Sequence, residues 1–424
     1  MIGKVRKLLG SDLIKVFSFT GLSTLVKLLT SYITVKVVAS VIGPSGVALI
    51  GQLQNFTAIF TTLGAGGINN GVVKYVSEYR DEETQLNHYL RNGFKITVVL
   101  SLLFGLVLIA SSTYLSKWIL RDAQFSYVFI LFGISLALLS LNNYFLSVLN
   151  GLKDFRKFVA ISIITSLTGL AFSVGLVWLL QLKGALIATV TYQSVIFFVT
   201  LIFLRKTPWL SQKILWGQTN RHIIRKYFSY SLMALVSAAT IPVAQMVVRG
   251  FIIGRFSMDS AGYWEGMNRI SGLYLMFFTT SFSVYYLPKL SEIKEATRLK
   301  QEILDVYKIV TPIIAGSLLL IYILKDFLIT LLFTKEFYPM KDLFAWQLAG
   351  DFFKVMSWIL AFVMVAKSMT KLYIITEIMF AVIFVGLSMI FLTYFGVIGA
   401  THSYCLTYFL YLIAMAVIFR KTIF

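Results

Sequence analysis

The sequence predicts an all-α, polytopic membrane protein of about 12 transmembrane helices, and three observations predict it. Apolar stretches long enough to cross a bilayer follow one another through almost the whole 424-residue chain. A hydrocarbon core of about 30 Å requires roughly 20 mainly apolar residues per helix. Hydrophobic residues make up 58% of the chain and charged residues only 13%, a balance too apolar for a soluble protein. The charge that remains is sorted by side. With the N-terminus taken as cytoplasmic, 25 of the 38 Lys and Arg fall on inside-facing segments, 8 on outside-facing loops and 5 within spans. This positive-inside bias directs both termini to the cytoplasm.

Lys4, Arg6 and Lys7 precede the first apolar run, and no small-residue cleavage site follows. That start reads as a retained first helix, not a removed signal peptide. The spans run 12–40, 46–76, 91–112, 125–149, 157–180 and 184–204, then 226–253, 260–288, 302–324, 341–366, 371–394 and 397–419. Pro242 and Pro312 fall inside the seventh and ninth spans, where each removes a backbone donor and predicts a kink. Gly64-Ala65-Gly66-Gly67 marks a place where span 2 bends or packs closely.

The two halves echo each other. Phe17-Ser18-Phe19 matches Phe228-Ser229-Tyr230, and Ile42-Gly43 matches Ile253-Gly254 at the same offset. Six spans per half make these parallel repeats. Three parts follow: a six-helix bundle over 1–204, a cytoplasmic linker rich in Lys and Arg over 205–226, and a second six-helix bundle over 227–424.

Charges at bilayer depth carry the functional signal, because each costs at least about 2.5–3.5 kcal/mol to insert and so faces the protein interior or water. Thr20, Thr24, Lys27, Ser31 and Thr34 share one face of span 1, and Gln52, Asn55, Thr62, Gly66 and Asn69 form a second stripe on span 2. Such stripes line either a helix contact or a wet cavity, and the mid-span Lys27 favours the cavity. Glu265 and Arg269 stand at i,i+4 on span 8; Asp351 and Lys354 stand at i,i+3 on span 10. Each pair either neutralises itself or acts on a ligand. Arg249, near the outer end of span 7, either snorkels or serves the cavity. Counted together, Lys27, Arg249, Arg269 and Lys354 exceed Glu265 and Asp351, a surplus suited to an anionic group such as a phosphate.

Several classes are disfavoured. The net charge of +20 is accounted for by the inside loops, whose partners are anionic lipid headgroups and not nucleic acid. Cys405 is the only cysteine, and the three histidines lie far apart, so no metal site or cofactor is expected. No GxxxxGK[ST] phosphate loop, HExxH or nucleophile elbow occurs, so neither ATP hydrolysis nor another catalysed reaction is expected.

A resemblance gathers these residues. Ser23-Thr24-Leu25-Val26-Lys27, the Gly43-Pro44-Ser45-Gly46 turn and Asp342-Leu343-Phe344-Ala345-Trp346-Gln347-Leu348, followed by Gly350-Asp351 and Lys354-Val355, are similar to segments of the Wzx-type flippases. These belong to the multidrug/oligosaccharidyl-lipid/polysaccharide exporter superfamily. The resemblance implies two six-helix bundles forming a V-shaped central cavity in the bacterial inner membrane. It implies translocation of an undecaprenyl-pyrophosphate-linked oligosaccharide, an O-antigen repeat unit or lipid III, from the cytoplasmic to the periplasmic leaflet. Substrate binding would then fall to Lys27, Arg249, Arg269, Lys354, Asn55 and Gln52, and coupling or ion pairing to Asp351, Glu265 and Asp326. A polysaccharide polymerase and a chain-length regulator of the same pathway are the implied protein partners. Gly272 and Arg269 depart from the pattern of the lipid III branch, which leaves the sugar open. Two other readings stay open: a membrane polysaccharide polymerase or glycosyltransferase, disfavoured by the short outer loops, and a drug/cation antiporter, disfavoured by the basic surplus.

Overall fold

The structure, a computed structural model, describes residues 12–205, 207–210 and 217–420, without the side chains of 12–22, 155, 229–230, 233 and 284. The Phe17-Ser18-Phe19 and Ser229-Tyr230 side chains of the sequence repeat, and Thr20 of the polar stripe, lie outside that description. Among the described residues the chain is helical and has no strand.

The helices are α1 (Asp12–Gly64), α2 (Asn69–Glu78), α3 (Glu83–Ala110), α4 (Ser112–Ile119), α5 (Ser126–Gly151) and α6 (Phe155–Leu204). They continue as α7 (Arg221–Arg255), α8 (Met258–Ser281), α9 (Leu287–Glu292), α10 (Ala296–Ile323), α11 (Lys325–Leu332), α12 (Phe344–Ala366), α13 (Thr370–Phe395) and α14 (Gly399–Ile418). Eight segments among the described residues are long and apolar enough to cross a membrane. Three of them, Ser23–Gly64, Arg156–Leu204 and Thr370–Ile418, have 42, 49 and 49 residues. At 1.5 Å per residue each would exceed twice the hydrocarbon thickness as a straight rod. Each is broken near its middle: at Gly43 (φ 62°), at Gln181 (φ 50°) and at Gly396 (φ 65°). The breaks resolve the eight segments into eleven. α8 supplies the twelfth, less apolar because it carries Asp259, Glu265 and Arg269.

Local chemistry explains the boundaries. Gly43 takes a left-handed φ without a Cβ penalty, and Pro44 after it has no N–H to continue a helix. α1 ends where Gly66 and Gly67 adopt φ 68° and 65°, which turns the expected bend of span 2 into an interruption before α2. Ser257 caps α8 by accepting from the Ser260 backbone N–H at 3.0 Å. α7 and α10 remain helical through Pro242 and Pro312.

By packing, the chain falls into two compact units. One comprises residues up to Val41 together with Leu53–Ala238; the other comprises Ile42–Gln52 with Ala239–Phe424. In the first unit α3, α5 and α6 pack in sequence. Gly105 and Gly133 let α3 and α5 approach backbone to backbone: a Cβ on Gly133 would lie 2.5 Å from the Gly105 carbonyl oxygen. Membrane helices use small residues at such contacts. An aromatic knot closes one end of this unit. Tyr89 stacks between Tyr75 and Tyr79 at 4.7 and 4.9 Å, and the Tyr227 hydroxyl donates to the Tyr89 carbonyl at 3.1 Å. The basic 205–226 stretch joins this unit where it is described. Lys95 Nζ donates to the Gly217 carbonyl at 2.7 Å, Arg91 donates to that of Gln218 at 3.1 Å, and Trp209 is buried.

In the second unit α14 packs on α12 and α13, and α8 and α10 also pack on α12. Gly262 lets α8 meet the Ile42–Gln52 arm, since a Cβ there would lie 2.1 Å from the Pro44 carbonyl oxygen. Outward faces of both units are apolar, as with Val99, Leu103 and Leu106 on α3 and Ile309, Ile313 and Leu320 on α10. Water would penalise so much exposed apolar area; a bilayer does not.

Candidate functional site

The buried charges of the second unit form two constellations. The first rests on Glu265, which projects from α8 into space left by Gly51; a Cβ on Gly51 would sit 2.4 Å from the Glu265 carboxyl carbon. Glu265 accepts from two arginines. Arg269, one turn along α8, donates from Nε to Oε1 at 3.0 Å, and Arg249 of α7 pairs with Oε2. Arg249 is 1% exposed and donates also to Gln52 Oε1 at 2.9 Å, while Gln52 Nε2 donates to the Met246 carbonyl at 3.3 Å. The Arg249 guanidinium lies 5.4 Å from the Trp264 ring centroid. Arg249 is therefore a buried, ion-paired residue and does not snorkel.

The second constellation is built around Asp351, fully buried on α12. Its carboxylate accepts three hydroxyls: Ser271 at 2.6 Å, Tyr274, and Tyr404 of α14 at 2.7 Å. Gln347 Nε2 donates to Ser271 Oγ at 3.3 Å and extends the network one turn. An ionised carboxylate is an acceptor only, and three O–H donors match that form. Gly350 makes the third possible, because a Cβ there would lie 2.4 Å from the Tyr404 ring. The i,i+3 pair expected between Asp351 and Lys354 is not a direct ion pair. Lys354 Nζ donates to the Tyr404 hydroxyl at 3.0 Å, and that hydroxyl donates to Asp351, so the tyrosine stands between the charges.

Lys354 also sits among aromatic faces, 4.8 Å from the Tyr408 centroid, 5.2 Å from Tyr404 and 5.4 Å from Trp358. It lines a cavity of about 110 Å³ together with Trp264, Asn268, Glu377, Tyr408 and Tyr411. Within this unit the site's charges balance: Arg249, Arg269 and Lys354 meet Glu265, Asp351 and Glu377. The basic surplus expected over both units falls from two to one once Glu377 is counted, and what remains is Lys27 of the first unit.

Other expected residues lie elsewhere. Lys27 is exposed on the first arm of α1, in the first unit, with no ion pair among the described residues. One hydroxyl of its stripe bonds back to its own helix: Thr34 donates to the Thr30 carbonyl at 2.8 Å. Asn55 also belongs to the first unit, and its side-chain Nδ2 is buried without a hydrogen-bond partner. Asp326 is exposed in the first turn of α11, where a helix N-terminus favours an acid; it joins neither constellation. No group of His, Cys, Asp and Glu suited to a metal occurs among the described residues.

Sequence reasoning missed Tyr404, Ser271, Tyr274 and the cavity face of α14. Tyr404, Tyr408 and Tyr411 are spaced 4 and 3, one face of a helix, and that periodicity was available as a signal.

Comparison with known proteins fits this architecture. The family model described as "Polysaccharide biosynthesis protein" matches residues 13–294. The chain is 29% identical over 401 residues to the lipid III flippase of Escherichia coli (strain K12), covering 94% of this chain and 96% of the relative. A solved inward-facing conformation of a multidrug resistance MATE family transporter of the MOP superfamily is similar, with a TM-score of 0.79 at 14% identity over 93% of this chain and 94% of that one. An outward-facing conformation gives 0.70 at 15% identity over 98% and 97%. At such identities the shared feature is the fold: a polytopic, all-α membrane transporter fold.

Proposed function

We propose, for a chain that belongs to the polysaccharide biosynthesis protein family, that it is a flippase. It moves an undecaprenyl-pyrophosphate-linked oligosaccharide, lipid III or an O-antigen repeat unit, from the cytoplasmic to the periplasmic leaflet by alternating access. The observation that carries this reading is the nearly end-to-end similarity to a lipid III flippase. Residues at bilayer depth support it. Lys27 in the first unit and Lys354 in the second are the cations least committed to carboxylates, and they are assigned to the anionic pyrophosphate and its attached sugar. Arg249 and Arg269 act through Glu265, setting the field of the site; Gln52 positions Arg249. Asn55 offers an amide donor to the cargo. Asp351 is assigned to coupling, and Asp326 to a peripheral electrostatic role.

Alternating access requires no covalent chemistry of the protein. A ligand shifts a conformational equilibrium only by its differential affinity for the two states. The protein is placed in a bacterial inner membrane with both termini cytoplasmic, supported by the loop-charge bias. A polysaccharide polymerase and a chain-length regulator are its proposed partners.

Complementation tests the cargo. In flippase-null strains that each make one defined lipid-linked repeat unit, the chain is expected to restore surface polysaccharide in at least one. Failure in every strain, with the protein present in the membrane, refutes the reading. Dye efflux in place of complementation would favour the antiporter. Cysteine labelling at Gln218 and Phe424 from the periplasmic side of intact cells would overturn the orientation.

A further inference from the structure

α4 follows α3 after a single residue and divides cleanly into two faces. Ser112, Leu115, Ser116 and Ile119 are buried, and the helix packs on α5. Thr113, Tyr114, Lys117 and Trp118 are exposed, with 71% of Tyr114 and 58% of Trp118 accessible. Water would penalise two large rings bared side by side on one short helix. Hydrocarbon would penalise the Lys117 ammonium between them. The face fits the boundary between the two, where amphipathic rings lie at headgroup level and basic residues meet phosphate.

The length of α3 brings α4 to that boundary. Lys95 is the last charged residue of α3, and the 15 residues 96–110 that follow it are uncharged. They cover about 22 Å at 1.5 Å per residue. A hydrocarbon core is about 30 Å thick, so α4 begins near its edge. Lys95 itself is fixed at the other end of the unit, on the Gly217 carbonyl. Exposed Val99, Leu102, Leu103 and Leu106 line the stretch between.

Charge on the exposed face has one sign. Arg121 stands just past the end of α4 at φ 61°, a left-handed backbone that favours glycine and strains a residue with a Cβ. Asp122 is the nearest acid, and its carboxylate accepts from the Gln124 backbone N–H at 2.9 Å and from the Gln124 side chain. A helix C-terminus favours a cation in any surroundings; the exposed rings beside it specify a lipid one. The second unit carries the same device with its charge cancelled. α10 has 28 residues, as α3 has, and after one residue α11 has 8, as α4 has. On α11, Phe327 is 60% exposed and Lys325 Nζ lies 4.0 Å from the Tyr322 centroid, but Asp326 adjoins Lys325.

We propose that α4 is an interfacial helix that binds the phosphate of an anionic phospholipid: Tyr114 and Trp118 seat in the headgroup layer, and Lys117 and Arg121 take the phosphate. With the orientation given by the loop charges this is the outer leaflet, opposite the inside loops. The proposal is independent of the cargo.

The test uses purified full-length protein in vesicles of phosphatidylglycerol or phosphatidylcholine carrying dibrominated acyl chains, which quench tryptophan fluorescence on contact. Subtracting the signal of Trp118→Phe isolates Trp118. Bromines high on the chain are expected to quench Trp118 more than bromines near its end. The brominated phosphatidylglycerol is expected to reach half-quenching at about a tenfold lower fraction than the phosphatidylcholine, since each base near an anionic surface contributes a factor of about five. Lys117→Gln combined with Arg121→Gln should bring the two lipids within about twofold of each other. Tyr114→Trp, which places a further reporter on the same face, should enlarge the lipid-quenched component. A Trp118 quenched by neither lipid lies in water and overturns the proposal. Equal quenching by both lipids in the parent reduces the face to apolar contact and overturns it. A preference unchanged in the Lys117→Gln, Arg121→Gln protein overturns the assignment of the phosphate to these bases.

Discussion

Replacing Tyr404 by Phe isolates one hydroxyl at the centre of the second unit. The ring stays, so its packing on Gly350 and its place beside Lys354 persist. Two hydrogen bonds go: Tyr404 to Asp351 at 2.7 Å and Lys354 to Tyr404 at 3.0 Å. Interhelical hydrogen bonds in membrane proteins average only about 0.6 kcal/mol. Bonds with one charged partner are about twice as strong. The loss also leaves a fully buried carboxylate with two hydroxyl donors in place of three, which adds part of its desolvation cost. Tyr404→Phe is therefore expected to destabilise the protein by about 2–3 kcal/mol. For a unit of this size that corresponds to a fall of roughly 5–10 °C in melting temperature. Fluorescence-detected size exclusion after stepwise heating measures it, and complementation on the same variant reads transport. A Tyr404→Phe protein that melts with the parent and transports normally would refute the claim that this hydroxyl joins Lys354 to Asp351.

Glu265→Gln removes the one carboxylate shared by Arg249 and Arg269; it should cost about 3–5 kcal/mol, read as a lower melting temperature or lost membrane expression. Lys27→Ala should abolish complementation at unchanged expression while Lys27→Arg retains part of it; a fully active Lys27→Ala would reduce the residue to a structural role. Asp351→Asn combined with Lys354→Gln should insert stably yet fail to transport, since the neutral pair keeps hydrogen-bonding groups but loses both charges; transport near the parental rate would assign the pair to architecture. Gly133→Leu should separate α3 from α5 and lower stability by about 1–3 kcal/mol, because its Cβ alone would lie 2.5 Å from the Gly105 carbonyl oxygen and 2.7 Å from the Ile109 side chain.

Features that repeat locally were legible in the chain. The spans followed from apolar length, and the three glycines in Gly64-Ala65-Gly66-Gly67 marked a bend in span 2, where the helix in fact stops at Gly64 and restarts at Asn69. The Glu265–Arg269 pair followed from i,i+4 spacing and is present at 3.0 Å. Contacts between distant segments were not legible. Arg249 meets Glu265 across a hairpin, and Gln52 reaches Arg249 over 197 positions. Nothing in local spacing chooses among several polar residues at similar depth. Asp351 and Lys354 illustrate the limit: their spacing brought them near each other, but Tyr404, 53 positions from Asp351, enters between them because Gly350 leaves room for its ring. The charge surplus counted from sequence shrank from two to one for a related reason. Glu377 lies on a different helix from the other acids, and only packing reveals that it shares a cavity with Lys354.

The balance of charge in the second unit separates fixed cations from exchangeable ones. Arg249 is tied by a carboxylate, an amide and a ring while almost wholly buried, so freeing it would expose Glu265 to the same desolvation it now relieves. Lys354 is held by one neutral hydroxyl and by cation–π contacts, each worth about 0.5–2 kcal/mol. An anionic or carbonyl oxygen can outbid those contacts without stranding a carboxylate, because Asp351 keeps its three hydroxyl donors when Lys354 moves. On the proposed reading, ligand capture at Lys354 would change the partner of one cation and leave the Arg249–Glu265 and Arg269–Glu265 pairs intact. A transporter needs that property, since its cargo must be bound on one side and released on the other. Contacts that are too strong in either state would halt the cycle, and only the difference in affinity between states moves the equilibrium.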